Sequence, residues 1–240
     1  NGYVEKLTDN LAEGIDPKIF LDDLNKGKGN ELKRKFKAIY SSSALAVNNF
    51  AIVKTYRQNF SIFGYTKFDQ AGFEQEFTTG LNGTPPTLDF FLENNDVLIA
   101  FESKYLEPLD ITRACFKPKY KTLKYLSRFW TDMIDEYQGK DLNLDVAQLM
   151  KHSFGLINNQ RDKNQKKILV YIYWLPINYR EIDNYRKHEA ELIDFENRMK
   201  VQNDIRFHSM SYPEFWKEYE NDFFIGDNVK KVKERYLYSF

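Results

Sequence analysis

The chain has 240 residues, 42% of them hydrophobic and 16% aromatic, enough apolar surface to offset the ordering entropy of a substantial core and to exclude global disorder. Lysine plus arginine balance aspartate plus glutamate at 35 each, which excludes a protein that coats nucleic acid by overall basic charge and confines any such contact to a local patch. Cys115 is the single cysteine, excluding an internal disulfide and a thiolate zinc cluster, and no apolar run reaches the roughly 20 residues that cross a bilayer, so a soluble protein in a reducing, cytoplasmic setting is expected without membrane contact.

Residues 1–30 mix charge, glycine and asparagine and read as an N-terminal arm with one short helix around Lys18 to Leu24. A domain spanning 31–215 follows, and 216–240 is expected to pack on it as a C-terminal extension. From Glu31 to about Gln58, Leu32, Phe36, Ile39, Tyr40, Leu45 and Val47 recur near helical spacing, with Ser41-Ser42-Ser43 as a break point. Short runs of period two then give three strands, Gly72 to Thr79, Thr87 to Leu92 and Val97 to Lys104. Glu93-Asn94-Asn95-Asp96 joins the last two as a tight hairpin, asparagine tolerating positive φ. Residues 105–144 are too long for a simple connection and form a helical insertion, with a helix around Leu123 to Tyr137.

A helix from about Leu144 to Asn158 precedes Lys166 to Trp174, a continuous apolar strand of the kind buried on both faces. A polar helix from Arg180 to Lys200, a strand from Ile205 to Met210 and a helix from Tyr212 to Tyr219 complete the pattern. The fold class is α/β: a mixed sheet flanked by helices, its first six elements ordered helix, three strands, helix, strand.

An acid, any residue, then lysine occurs three times, as Asp16-Pro17-Lys18, Glu31-Leu32-Lys33 and Glu102-Ser103-Lys104. Only the third ends an apolar strand with another acid, Asp89, on the strand before it. If Leu92 faces Val97, Asp89 sits across from Ala100, and Glu102 and Lys104 share that face because alternate residues point the same way. Asp89 and Glu102 are then diagonal neighbours, about 7–8 Å apart at Cα. With the Ser103 backbone carbonyl they offer hard oxygen ligands suited to magnesium. An ordinary salt-bridged solvent face would use the same residues; Phe91, Leu98 and Ala100 on that face argue for a cleft, while Leu88, Phe90, Leu92, Val97, Ile99 and Phe101 make the other face apolar.

The run Thr84-Pro85-Pro86-Thr87-Leu88-Asp89 and then Phe101-Glu102-Ser103-Lys104, with twelve residues between the two acids, resembles the PD-(D/E)XK nuclease superfamily and its restriction-endonuclease-like bacterial members. Leu88 separates the proline from Asp89, a departure at the least chemically necessary position. The resemblance implies a restriction-endonuclease-like αβββαβ core and a nuclease dependent on Mg2+ or Mn2+, with DNA as the expected partner. Asp89, Glu102 and Lys104 would be its catalytic residues, with Asp89, Glu102 and the Ser103 carbonyl on the metal. It also implies an accessory role for Gln148, which shares a helix face with His152, itself more simply a partly buried helix residue. Glu76 or Glu74 on the first strand could add a carboxylate. Lys117, Lys119, Lys121 and Lys124, interleaved with aromatics in the insertion, are the expected nucleic-acid contacts, ahead of Lys33-Arg34-Lys35 with Lys37; both clusters also fit a solvated helix face. A catalytically silent module binding nucleic acid or protein remains the alternative, hydrolysis of another phosphoester is a third reading, and nothing in the sequence decides between monomer and homodimer.

Overall fold

The computed structural model describes residues 2–26, 35–159 and 165–240. The expected helix start at Glu31 and Leu32, and the basic pair Lys33-Arg34, lie outside the described residues. In chain order the elements are α1 (Leu21–Lys26), α2 (Ser42–Thr55), β1 (Gln70–Glu76), β2 (Thr87–Glu93), β3 (Val97–Lys104), β4 (Thr112–Arg113), α3 (Arg128–Tyr137), β5 (Asp141–Leu142), α4 (Val146–Asn158), β6 (Lys166–Tyr173), α5 (Asp183–Met199), β7 (Arg206–Ser211), α6 (Tyr212–Tyr219) and α7 (Gly226–Tyr236). They form a mixed α/β structure around a five-stranded sheet of order β1-β2-β3-β6-β7. The first three strands are antiparallel, while β3, β6 and β7 run parallel.

The break expected at the serine triplet is a helix start: Ser41 accepts from the Ala44 N–H as the N-cap of α2, satisfying one donor that the first turn leaves open. α2 lies on one sheet face with α6 and α7, where Phe50 stacks on Phe90 with ring centroids 4.8 Å apart and Leu92, Ile99, Phe101, Val170 and Ile172 fill the layer. Truncating Phe50 to alanine there would cost about 3–5 kcal/mol. Phe20 and Leu24 belong to the same core, so the segment expected as an arm buries side chains against α2, as do Val229, Val232 and Tyr236 near the C-terminus.

The other face carries α3, α4 and α5, which cover Phe91, Leu98, Ala100, Leu169 and Tyr171. β6 is covered on both sides, which is why it reads as an unbroken apolar run. The insertion enters and leaves through the two-stranded pair β4 and β5. α4 presses closely on the end of β1: a Cβ built on Gly155 would stand 2.4 Å from the Phe77 carbonyl oxygen, so only glycine permits this approach.

The hairpin differs from the expected register in an informative way. Phe91 pairs with Ala100 and Leu92 with Ile99, two residues displaced from the expected Leu92 and Val97 pairing. Asn94 closes the turn, its N–H donating to the Val97 carbonyl and its side-chain oxygen accepting from the Asp96 and Val97 N–H groups at 2.9 and 3.0 Å. Neither Asn94 nor Asn95 has positive φ; the side chain, not a left-handed backbone, makes the turn. Because the slip is two residues, every side chain keeps its face. Leu88 is the exception: it packs with the α4-side core, away from Phe90 and Leu92.

Candidate functional site

Extending the observed hairpin register by one pair sets Asp89 directly across from Glu102, closer than the diagonal relation expected. On the other side of β2 the ladder runs through Phe73 with Phe90 and Gln75 with Leu88, so Glu74 stands across from Asp89. Glu74 has φ 51°, in the left-handed region that non-glycine residues rarely occupy. The irregularity of β2 at Leu88 and the strained backbone of β1 thus meet at one point, where three adjacent strands each present an acid.

At that point the sheet ends in a cavity of about 650 Å³. Its wall includes Asp89, Glu102, Ser103, Lys104 and Gln148, together with Glu74 and Glu76, so the expected catalytic residues and both strand-one acids come together. Lys104 Nζ lies 2.7 Å from Glu102 Oε1 and donates to Gln148 Oε1, also at 2.7 Å. Asp145 positions Gln148 by capping α4 through the Gln148 N–H at 2.9 Å. The second Glu102 oxygen is 2.9 Å from His152 Nε2. His152 is buried, and its Nδ1 has no hydrogen-bond partner among the described residues. The spacing of Gln148 and His152 was the legible signal; both reach Lys104 or Glu102 from one helix face.

Asp89 is held differently. Its Oδ2 accepts from the Ser103 N–H at 2.7 Å. In an extended strand a residue's N–H and C=O point to the same edge, so the Ser103 carbonyl also faces the Asp89 side. Ser103 Oγ is fixed from behind by the buried Tyr212 hydroxyl at 2.7 Å and by the Ser42 carbonyl at 3.4 Å. Two further contributors had no distinctive pattern in the sequence: Tyr212, which arrives from α6, and Glu107, which lines the cavity and accepts from the Tyr105 N–H at 2.7 Å.

The electrostatics separate the two acids. Burial, then Glu102, then Glu74 push the Asp89 carboxyl well above the ordinary carboxylate range, against Lys104 and the Ser103 N–H. Burial acts on Glu102 in the same direction, yet the Lys104 ammonium and His152 hold it at about 2. Burial works to lower the Lys104 ammonium, and Glu102, Glu107 and Asp89 together raise it above its usual value. Lys104 is therefore a fixed cation at neutral pH and cannot accept a proton.

The donor set suits a hard cation. It offers a desolvated carboxylate crowded by others, an ionised neighbour and a strand carbonyl on the same side. Among the described residues no three His, Cys, Asp or Glu side chains close on one point. Magnesium, which keeps several waters, needs only one or two carboxylates.

Lys117, Lys119, Lys121 and Lys124 are exposed around the short helix Pro118–Thr122 and lie outside the cavity wall; Lys121 is paired with Asp135. His188 is buried against the Tyr171 hydroxyl at 2.8 Å, and burial lowers it to about 4. No helix among the described residues is long and apolar enough to cross a membrane.

A family model described as REase-ARP, Restriction Endonuclease associating with ARP, matches residues 3–237, so the chain belongs to that family. No curated protein and no solved structure gives a match.

Proposed function

We propose that this member of a restriction-endonuclease-associated family is a PD-(D/E)XK nuclease that hydrolyses phosphodiester bonds of DNA with Mg2+ or Mn2+. The observation that carries the reading is the meeting of Asp89, Glu102, Lys104 and Gln148 in one cavity, with Asp89 kept desolvated and crowded by like charge. The succession α2, β1, β2, β3, α4, β6 supports an αβββαβ core, with 105–144 as an insertion after β3.

Asp89, Glu102 and the Ser103 carbonyl would hold the ion, with Glu76 and Glu74 elsewhere in the same cavity wall. When bound, the ion supplies a Lewis acid for a phosphoryl oxygen and makes hydroxide available from water near neutral pH. Lys104, charged and oriented by Glu102 and Gln148, stabilises negative charge developing on the phosphorane as a compact point charge. The second Glu102 contact, to His152, fixes the carboxylate plane, and Tyr212 fixes the strand through Ser103. Lys117, Lys119, Lys121 and Lys124 would track phosphates outside the cavity.

Incubating wild type and Glu102→Ala with single-stranded, duplex and structured DNA and RNA, in magnesium, manganese or chelator, tests the reading. Cleavage by wild type alone, abolished by chelator, is expected. Equal activity of the two proteins would refute the assignment. Inactivity of wild type on every substrate would favour a silent nuclease-fold module that binds nucleic acid or a protein partner.

A further inference from the structure

Hydrolysis of a phosphodiester needs a group that takes a proton from the attacking water, and the residues already placed in the site are poorly suited to it. Lys104 is a fixed cation. Glu102 engages Lys104 with one oxygen at 2.7 Å and His152 with the other at 2.9 Å, and these partners hold it at about 2, so it is a weak base. Asp89 is assigned to the ion. Glu74 and Glu76 stand on β1, and the whole of β2 separates them from Lys104 on β3. His152 is buried and is not part of the cavity wall.

One more acid lines the cavity. Glu107 begins the short 3-10 turn Glu107–Leu109 just after β3, and its charge acts on the Lys104 ammonium second only to that of Glu102, which sets it on the Lys104 side of the wall. An exposed acid on a turn is ordinarily mobile; this turn is held from several sides. Glu107 Oε2 accepts from the Tyr105 N–H at 2.7 Å, buried Asn143 donates to the Pro108 carbonyl at 3.0 Å, and Asn184 of α5 donates to the Leu109 carbonyl. Pro108 itself is buried. The other carboxylate oxygen, Oε1, has no hydrogen-bond partner among the described residues. A carboxylate fixed through one oxygen, with the second unengaged beside a steering cation, has the form of a positioned proton acceptor.

We propose that Glu107 is a further catalytic residue, the general base that takes a proton from the water attacking phosphorus beside Lys104. This rests on the nuclease reading and deepens it by naming the proton acceptor. The water oxygen forms its bond to phosphorus as the bond from phosphorus to the leaving sugar oxygen breaks. One water proton passes to the Glu107 carboxylate, the leaving oxygen takes a proton from solvent, and the Glu107 carboxyl then returns its proton to solvent.

The simpler role, an acid that only closes the turn through the Tyr105 N–H, is separated by Glu107→Gln, whose amide oxygen still accepts that bond but which cannot take the proton. The test compares full-length wild type, Glu107→Gln and Glu107→Asp on labelled single-stranded DNA, duplex DNA and RNA. Single-turnover cleavage at saturating magnesium should fall by about 10²–10⁴ in Glu107→Gln. Its melting temperature, its manganese affinity by calorimetry and its nucleic-acid binding in calcium should stay those of wild type. Glu107→Asp keeps a charge beside Lys104 but withdraws the carboxylate by one methylene, and should lose about 10² in rate. A wild-type rate in Glu107→Gln would reduce Glu107 to closing the turn, and a wild-type rate in Glu107→Asp would mean that it acts only through its field on Lys104. Weakened manganese binding in Glu107→Gln would make it a metal ligand, and a marked fall in its melting temperature would make the charge structural. Any of these overturns the assignment while the nuclease reading stands, whereas a wild type inactive on every substrate would overturn both.

Discussion

The β2–β3 hairpin carries a buried acid, Glu93, at its turn end and a half-buried one, Asp89, at its open end, and the two are treated oppositely. At the turn end, Glu93 accepts from Gln165 Nε2 at 3.1 Å, and Gln165 also donates to the Asn94 carbonyl, so the carboxylate is tied into the loop that precedes β6. At the open end, Asp89 faces Glu102 and Glu74, and both raise its proton affinity. A buried acid is tolerated when its partners come from the protein, as with Glu93. One crowded by other acids beside a cavity is stabilised best by a partner from outside. The contrast is the ground on which Asp89, whose protein partners are the Ser103 N–H and the Lys104 charge, is proposed as a metal ligand and Glu93 as a structural residue.

The largest expected effect breaks that comparison directly. Asp89→Ala should abolish cleavage while its melting temperature without metal stays at or above that of wild type, because a desolvated acid repelled by its neighbours has been removed. A cooperative thermal melt and a cleavage assay check both halves. A marked drop in melting temperature would place Asp89 with Glu93 as a structural acid.

Lys104→Ala should lower single-turnover cleavage at saturating magnesium by about 10²–10³ with metal affinity retained, as expected when one charge donor leaves a preorganised site. Lys104→Arg should rescue little, since a planar fork does not reproduce a compact ammonium. A rate restored simply by excess metal would mean that Lys104 only organises the ligands.

His188, buried against Tyr171 and outside the cavity wall, shows what burial does to a titrating group. Its folded value of about 4 lies below the ordinary histidine value of about 6.5, so the unfolded chain takes up the proton first as pH falls. Stability should therefore be full above about pH 6.5 and decline toward pH 4, by up to about 3 kcal/mol. Urea midpoints between pH 7 and 4, compared with His188→Phe, measure it; an equally steep decline in the variant would assign the effect elsewhere.

Glu93→Ala should cost about 1–3 kcal/mol, the penalty for leaving Gln165 short of a partner, with cleavage unchanged per folded molecule. Smallest is the insertion: neutralising Lys117, Lys119, Lys121 and Lys124 together should weaken nucleic-acid binding across sequences and flatten its salt dependence, by about 0.9 in log-log slope for each phosphate no longer neutralised. An unchanged slope would make this cluster a solvated face.

Local patterns carried much of this architecture. Strand β3 is legible to the residue because an apolar run is bounded by the Asn-rich turn and by Lys104, and α4 because its apolar positions repeat between Asp145 and Asn158. The hairpin register was displaced by two because the Asn94 side chain closes the turn one step earlier than a four-residue loop would; period-two geometry preserved the faces regardless. What stayed hidden depends on tertiary contact. Nothing in the run around Glu74 announces a positive φ, nothing in α6 marks Tyr212 as the hydroxyl behind Ser103, and the mixed segment before Phe20 gives no hint that Tyr3 reaches the cavity. His152 was half legible: its spacing from Gln148 put it on the site face, while its contact with Glu102 required the packing of α4 that Gly155 permits.

The measurement that bears most directly on the hairpin contrast is calorimetric titration of manganese into the wild-type protein, Asp89→Asn and Glu93→Gln, with no nucleic acid present. Asp89→Asn removes a charged oxygen ligand with almost no change of volume. A hard cation held at the open end requires wild type and Glu93→Gln to bind one manganese alike and Asp89→Asn to bind it at least about 10-fold more weakly. Equal affinity in all three proteins, or no binding by wild type, would contradict the assignment of Asp89 to a metal site.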